Sequence, residues 1–165
     1  MSSCSGFKYY LVLIDDLTHY VWTFPLRCKS NVDACLLSFH AYVSTQFQLS
    51  LISFQTDNGK EFDNHAFRNY LTKRGIALRL SCPYTSSQNG KSESIIQTLN
   101  DCVRSLLFHA GMPSSFWVEA LSTTTYILNR WPCQATGQLT PISFYLALHL
   151  NSLISGCLVA SVFQS

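Results

Sequence analysis

Charge is scarce in this sequence. Eleven Lys or Arg and nine Asp or Glu make up 12% of 165 residues and leave a net charge of +2. A chain that is 47% hydrophobic with so few charges does not fit a disordered segment. A self-sufficient DNA binder carries a stronger basic bias, so the balance argues against tight, autonomous binding to nucleic acid. Long apolar runs are also lacking. The longest, "LISGCLVASVF" (Leu153–Phe163), is too short to span a bilayer, and "MSSCSGFKYY" has no apolar secretory segment. The expectation is a soluble, intracellular chain. Cys-x-x-Cys pairs are absent: seven cysteines stand singly at 4, 28, 35, 82, 102, 133 and 157. An odd, scattered set argues against a zinc or disulfide framework and predicts reduced, mostly buried thiols.

The length suits one domain with a substantial core. "FKYYLVLID" (Phe7–Asp15) is a continuous apolar run of strand length, as expected of a strand covered on both faces. "DDLT" supplies a turn, and His19–Arg27 reads as the second arm of a hairpin, limited by Pro25. From Ser30 the period changes to threes and fours through Val32, Leu36, Phe39, Val43 and Phe47, with Ser30 or Asn31 placed to cap a helix. Leu51–Asp57 is a strand stopped by Asn58-Gly59. Asp63 is placed to cap a second helix that ends at Gly75, and Ile76–Ser81 alternates like an edge strand. A polar loop leads into a helix from about Gly90 to Ala110, with Ile95, Ile96, Leu99, Cys102, Val103, Leu106 and Leu107 on one stripe. Ser114 or Ser115 is placed to cap a last clear helix running to Leu128, and beyond Pro132 the signals weaken. This order predicts an α/β layer fold with a mixed sheet.

Two carboxylates stand out. Asp57 follows a buried strand at its carboxyl end, the edge where open α/β sheets build sites. Glu93 falls roughly 110° from the centre of its helix's apolar stripe at about 100° per residue. Taken alone, Asp57 beside Asn-Gly reads as a turn former, and Glu93 in a first helical turn as a complement to the helix dipole.

Their surroundings change that reading. "QTDNGKEF" (Gln55–Phe62), "CPYTSSQNGKSES" (Cys82–Ser94) and the thirty-five residues between Asp57 and Glu93 resemble the catalytic core of retroviral-type integrases and its D,D-35-E pattern. "KYYLVLIDDLTHYVWTFPLRCKS" and "FWVEALSTTTYILNR" look like flanking segments in Ty1/copia-type retrotransposon polyproteins of plants. The resemblance covers about Phe7 to Leu148. It implies an RNase H-like three-layer fold, a mixed sheet flanked by helices. It also implies DNA integration by metal-dependent 3′-end cleavage and strand transfer. Two Mg²⁺ or Mn²⁺ ions held by three carboxylates would do this work, because hard cations take oxygen ligands. Asp57 and Glu93 match the second and third acids. Asn58, Tyr84, Gln88, Asn89, Gly90 and Lys91 are the expected DNA contacts, Gly90 permitting close backbone approach. DNA ends, target DNA and a second copy of the chain, as a dimer or higher oligomer, are the implied partners. A nuclear or cytoplasmic particle is the implied location.

The resemblance also leaves a gap. In such cores the first catalytic Asp lies on the strand before the one matching "KYYLVLIDD", and "MSSCSG" carries no acid. Asp15 and Asp16 are candidate substitutes, although a hairpin turn also accounts for them. The expected architecture is therefore a core at 1–148 lacking the family's first strand, followed by a divergent tail at 149–165. No basic residue appears between Lys91 and Arg104, so phosphate contacts from the long helix look thin. A fold that persists with little or no activity is the expectation. The alternatives are a non-catalytic remnant that binds nucleic acid or protein, and an RNase H-like nuclease.

Overall fold

The computed structural model describes residues 2–47, 51–56, 65–80, 86–132, 137–150 and 156–164; for 47, 66, 86–92, 149, 150 and 156 it describes the backbone alone. The strands are β1 (Tyr9–Asp15), β2 (Val21–Leu26), β3 (Leu51–Thr56), β4 (Ala77–Leu80) and β5 (Gly156–Gln164). The helices are α1 (Val32–Phe47), α2 (His65–Lys73), α3 (Ser86–His109), α4 (Trp117–Leu128) and α5 (Pro141–Leu150).

The sheet order is β2-β1-β5-β3-β4. β1 runs antiparallel to both β2 and β5, whereas β3 runs parallel to both β5 and β4. The centre of the sheet is thus occupied by the tail of the chain. No open edge lies beside β1, which is paired on both sides, and every residue of β1 after Tyr9 is buried. That is why Tyr10–Ile14 is apolar without alternation: both faces are covered.

Successive residues of β1 point to opposite faces and define two cores. Leu11 and Leu13 pack with Val32, Leu36 and Phe39 of α1, Phe67 and Leu71 of α2, and Leu158, Ala160 and Val162 of β5. Tyr10, Val12 and Ile14 pack with Ile96 and Leu99 of α3 and Trp117 and Leu121 of α4; Val159 and Phe163 of β5 join them. The result is a three-layer α/β/α arrangement, as expected. Asn129, just past α4, ties the layers together. Its Oδ1 accepts from the Val21 N–H and its Nδ2 donates to the Val21 carbonyl, each at 2.8 Å.

Local details differ from the sequence reading in physical ways. Ser30 and Asn31 lie within a single 3-10 turn, where Asn31 Oδ1 accepts from the Cys28 N–H at 3.2 Å. Ser114 and Ser115 likewise lie inside a 3-10 turn before α4 instead of capping it. The cap expected at Asp63 lies outside the described residues. Gly75 and Gly111 close α2 and α3 at φ 71° and 62°, the left-handed conformation that glycine adopts without a Cβ penalty. Thr140, ahead of Pro141 at the first position of α5, caps that unforeseen helix by accepting from the Ser143 N–H at 3.2 Å. The described cysteines 4, 28, 35, 102 and 157 are free thiols, and burial pushes the Cys35 thiol up to about 11. No helix among the described residues is long and apolar enough to cross a membrane.

Candidate nucleic-acid interface and metal site

β3 ends at Thr56, which is buried and in register with Ala160 of β5. Asp57 and Asn58 follow in sequence and lie outside the described residues, as does Tyr84. Glu93, by contrast, lies among the described residues. Glu93 is exposed on α3, one turn before the buried Ile96, on the flank of the helix that packs against β1 and β5.

α3 starts earlier than its sequence indicates. It begins at Ser86, so Gln88, Asn89, Gly90 and Lys91 occupy its first two turns instead of a loop. Asn-Gly favours turns in isolation, but the packed stripe downstream extends the helix through it. Glu93 consequently stands seven residues into the helix, about two turns from its start. The dipole effect fades within the first turn, so complementing the helix terminus does not account for this carboxylate.

The central strand is free of acids among the described residues. From Gly156 to Gln164, β5 carries no Asp or Glu; its polar side chains are Cys157, Ser161 and Gln164. Ser161 alternates with Ala160 and Val162, so it shares the α3-facing side with Val159 and Phe163. It lies one residue beyond the Thr56–Ala160 pair and is 6% exposed. Asp57 is likewise the residue next after Thr56 in sequence. Sequence reasoning missed this position, because the pairing joins segments about a hundred residues apart.

Asp15 does not substitute. Its Oδ2 accepts hydrogen bonds from the Thr18 N–H at 2.8 Å and the Thr18 hydroxyl at 2.6 Å, which builds the β1–β2 turn. It also shares the face of Leu11 and Leu13, opposite α3. Its register partner Leu158 pairs in turn with Phe54, which places Asp15 two rows from Thr56 along β3 and two strands across. Those spacings are ~6.6 Å and ~9.6 Å, too far for one cation to bridge. Asp16 follows it in the same turn, where its N–H donates to the Cys157 carbonyl at 3.0 Å.

Tyr10 and Asn100 form a second polar junction between β1 and α3, the phenol donating to Asn100 Oδ1 at 2.8 Å. Burial raises the pKa of the Tyr10 phenol above its ordinary value, and this hydrogen bond and the nearby Arg104 charge offset part of that rise.

Comparison with known proteins places this geometry. Residues 1–86 match the integrase core domain. The chain is 35% identical over 130 residues, 79% of its length, to the retrovirus-related Pol polyprotein from transposon RE2 of Arabidopsis thaliana. It is 35% identical over 132 residues, 80% of its length, to that from transposon TNT 1-94 of Nicotiana tabacum. It spans 9% and 10% of the lengths of those two polyproteins. Among solved structures, the catalytic core domain of BIV integrase superposes with a TM-score of 0.66 at 19% identity, covering 92% of this chain and 93% of that one. The HTLV-2 integrase catalytic core domain in complex with magnesium, in a trimeric form, gives 0.61 at 16% identity, covering 86% and 87%.

Proposed function

Because this chain belongs to the integrase core domain family, whose members act in DNA integration, we propose that it keeps the family's nucleic-acid-facing surface without its paired-metal chemistry. The observation that carries this reading is the acid-free central strand. Two hard divalent cations need several carboxylate oxygens converging on one edge. Asp57 and Glu93 are the two candidates, and beside them β5 offers the Ser161 hydroxyl where a third carboxylate is required. Asp15 is spent on a turn on the opposite face. Among the described residues no group of three His, Cys, Asp or Glu is arranged to hold a metal ion. This donor set does not fit a Mg²⁺ or Mn²⁺ pair.

The DNA-facing part of the proposal rests on α3. Its first two turns carry Gln88, Asn89 and Lys91 and no acid before Glu93. The exposed amides and positive end of a helix N-terminus favour phosphate oxygens. With one lysine there and a net charge of +2, binding is weak and strongly salt-dependent. Self-association belongs to the same reading. Phe108, Trp131 and Tyr126 are 82%, 68% and 59% exposed, the kind of apolar surface a second copy covers.

The test measures Mn²⁺-dependent nicking of oligonucleotide duplexes alongside fluorescence anisotropy without metal. The expected result is metal-independent binding that weakens on Lys91→Ala and with rising salt, and no nicking above background. Nicking that Asp57→Asn abolishes would overturn the loss of chemistry. Binding insensitive to both salt and Lys91→Ala would overturn the DNA-facing role.

A further inference from the structure

On the α3 and α4 side, three turns along α3 from Glu93, a cavity of about 240 Å³ opens above the ends of β1 and β5. We infer that it is a binding site for a small organic anion with an aromatic body, a ring carboxylate, independent of the DNA-facing reading above.

The shape comes first. Val103, Leu107 and Leu121 give the cavity an apolar floor, and the Tyr10 and Trp117 rings stand beside it with centroids 6.0 Å apart and planes tilted by 48°. Its volume falls below the roughly 300–1,000 Å³ of drug-sized pockets, which selects a one-ring or two-ring guest. Aromatic side chains in the lining favour an aromatic guest over an aliphatic one.

The charge follows. Among the described lining residues Arg104 is the one charged side chain, and none is Asp or Glu. Asp101 approaches the guanidinium at 3.7 Å, but that pair is open to solvent, with 80% of the Arg104 side chain and 62% of the Asp101 side chain exposed. An exposed pair of this kind is worth little and leaves the cation able to engage a second anion.

Hydrogen-bonding capacity points the same way. Asn100 already accepts from Tyr10 through Oδ1, which leaves its amide hydrogens as donors beside the cavity. The lining therefore offers the Asn100 amide hydrogens and one cation, and a carboxylate supplies the acceptors and the charge that they lack.

The probe is phenylacetate, with phenylacetamide as its neutral twin and inorganic phosphate as an anion without a ring. Indole N–H resonances of Trp22, Trp117 and Trp131 are assigned by single Phe substitutions and followed during titration. The expected result is a saturable shift of the Trp117 resonance by phenylacetate alone, with Arg104→Ala weakening it at least tenfold. Arg104 is exposed, so that variant keeps the fold. No saturable shift, equal binding of phenylacetamide, equal binding of phosphate, or indifference to Arg104→Ala would each overturn the assignment.

Discussion

Removing the last strand is the most searching perturbation of this fold. A chain ending at Leu150 loses β5, which pairs with β1 over seven residues and with β3 over five. Leu158, Ala160 and Val162 are buried in one core, and Val159 and Phe163 pack into the other. At about 1.5–3 kcal/mol for each large side chain removed from water, the four larger residues account for roughly 6–12 kcal/mol, an upper estimate given a compact unfolded state. A domain's whole stability is about 5–15 kcal/mol. Truncation also strips Leu11, Leu13 and Phe54 of their β5 neighbours and removes two rows of backbone partners, at ~1 kcal/mol for each hydrogen bond. The truncated chain should therefore show no cooperative urea transition by tryptophan fluorescence and should be digested rapidly by trypsin. Adding a peptide of residues 156–164 should restore protection. The graded version, Leu158→Ala, should cost about 2–5 kcal/mol. A truncated chain that still unfolds cooperatively within about 2 kcal/mol of the full one would refute the central role given to β5.

Other outcomes follow from single residues. Ser161→Asp places a carboxylate on the α3-facing side one residue beyond the Thr56–Ala160 pair; calorimetric titration should show Mn²⁺ binding at least tenfold tighter than in the unaltered chain, and no gain in a folded variant would refute the assigned cause of lost chemistry. Asn129→Ala leaves the buried Val21 N–H and carbonyl without partners. Its urea midpoint should fall by an amount worth about 2–4 kcal/mol, and a change below ~0.5 kcal/mol would refute the clasp. Burial, and then the Arg74 charge, lower the pKa of His40, whose Nδ1 meets the Tyr70 hydroxyl at 3.0 Å. The unfolded chain then binds this proton more readily, so stability is full above an unfolded pKa of about 6.5 and declines as pH falls below it. His40→Gln should flatten that decline between about pH 5 and 7; an unchanged slope would count against it.

Much of the architecture was legible because its signals are local. The unbroken apolar run Tyr10–Ile14 announces a strand covered on both faces, and the stripe through Ile96, Leu99 and Val103 announces the face of α3. The start of α3 was not legible. Asn89-Gly90 has strong turn chemistry, and only the packing of the helix downstream overrides it. α5 had a readable cue in Thr140-Pro141, obscured by weak periodicity in "ISFYLALHL". β5 is the instructive miss. "GCLVASVF" is an apolar run of strand length with valines at 159 and 162, but its alternation is too weak to set it apart from the longer apolar stretch around it. Its place between β1 and β3 is a long-range pairing that no local pattern encodes. The same holds for the site. Glu93 and Asp57 were visible as motif residues, whereas Ser161 acquires meaning only through register.

The position of β5 also bears on how the molecule is made. Synthesis proceeds from β1 to β5, yet β5, the last of the described strands to leave the ribosome, lies at the centre of the sheet. Until residues 156–164 emerge, β1 and β3 cannot be joined, and Leu11, Leu13 and Phe54 wait without the strand that covers them. At about 5–20 residues per second, the nascent chain spends several seconds with two half-sheets and unpaired strand edges, the state most open to misassociation. A fold closed by its final strand depends on whatever shelters those edges during translation.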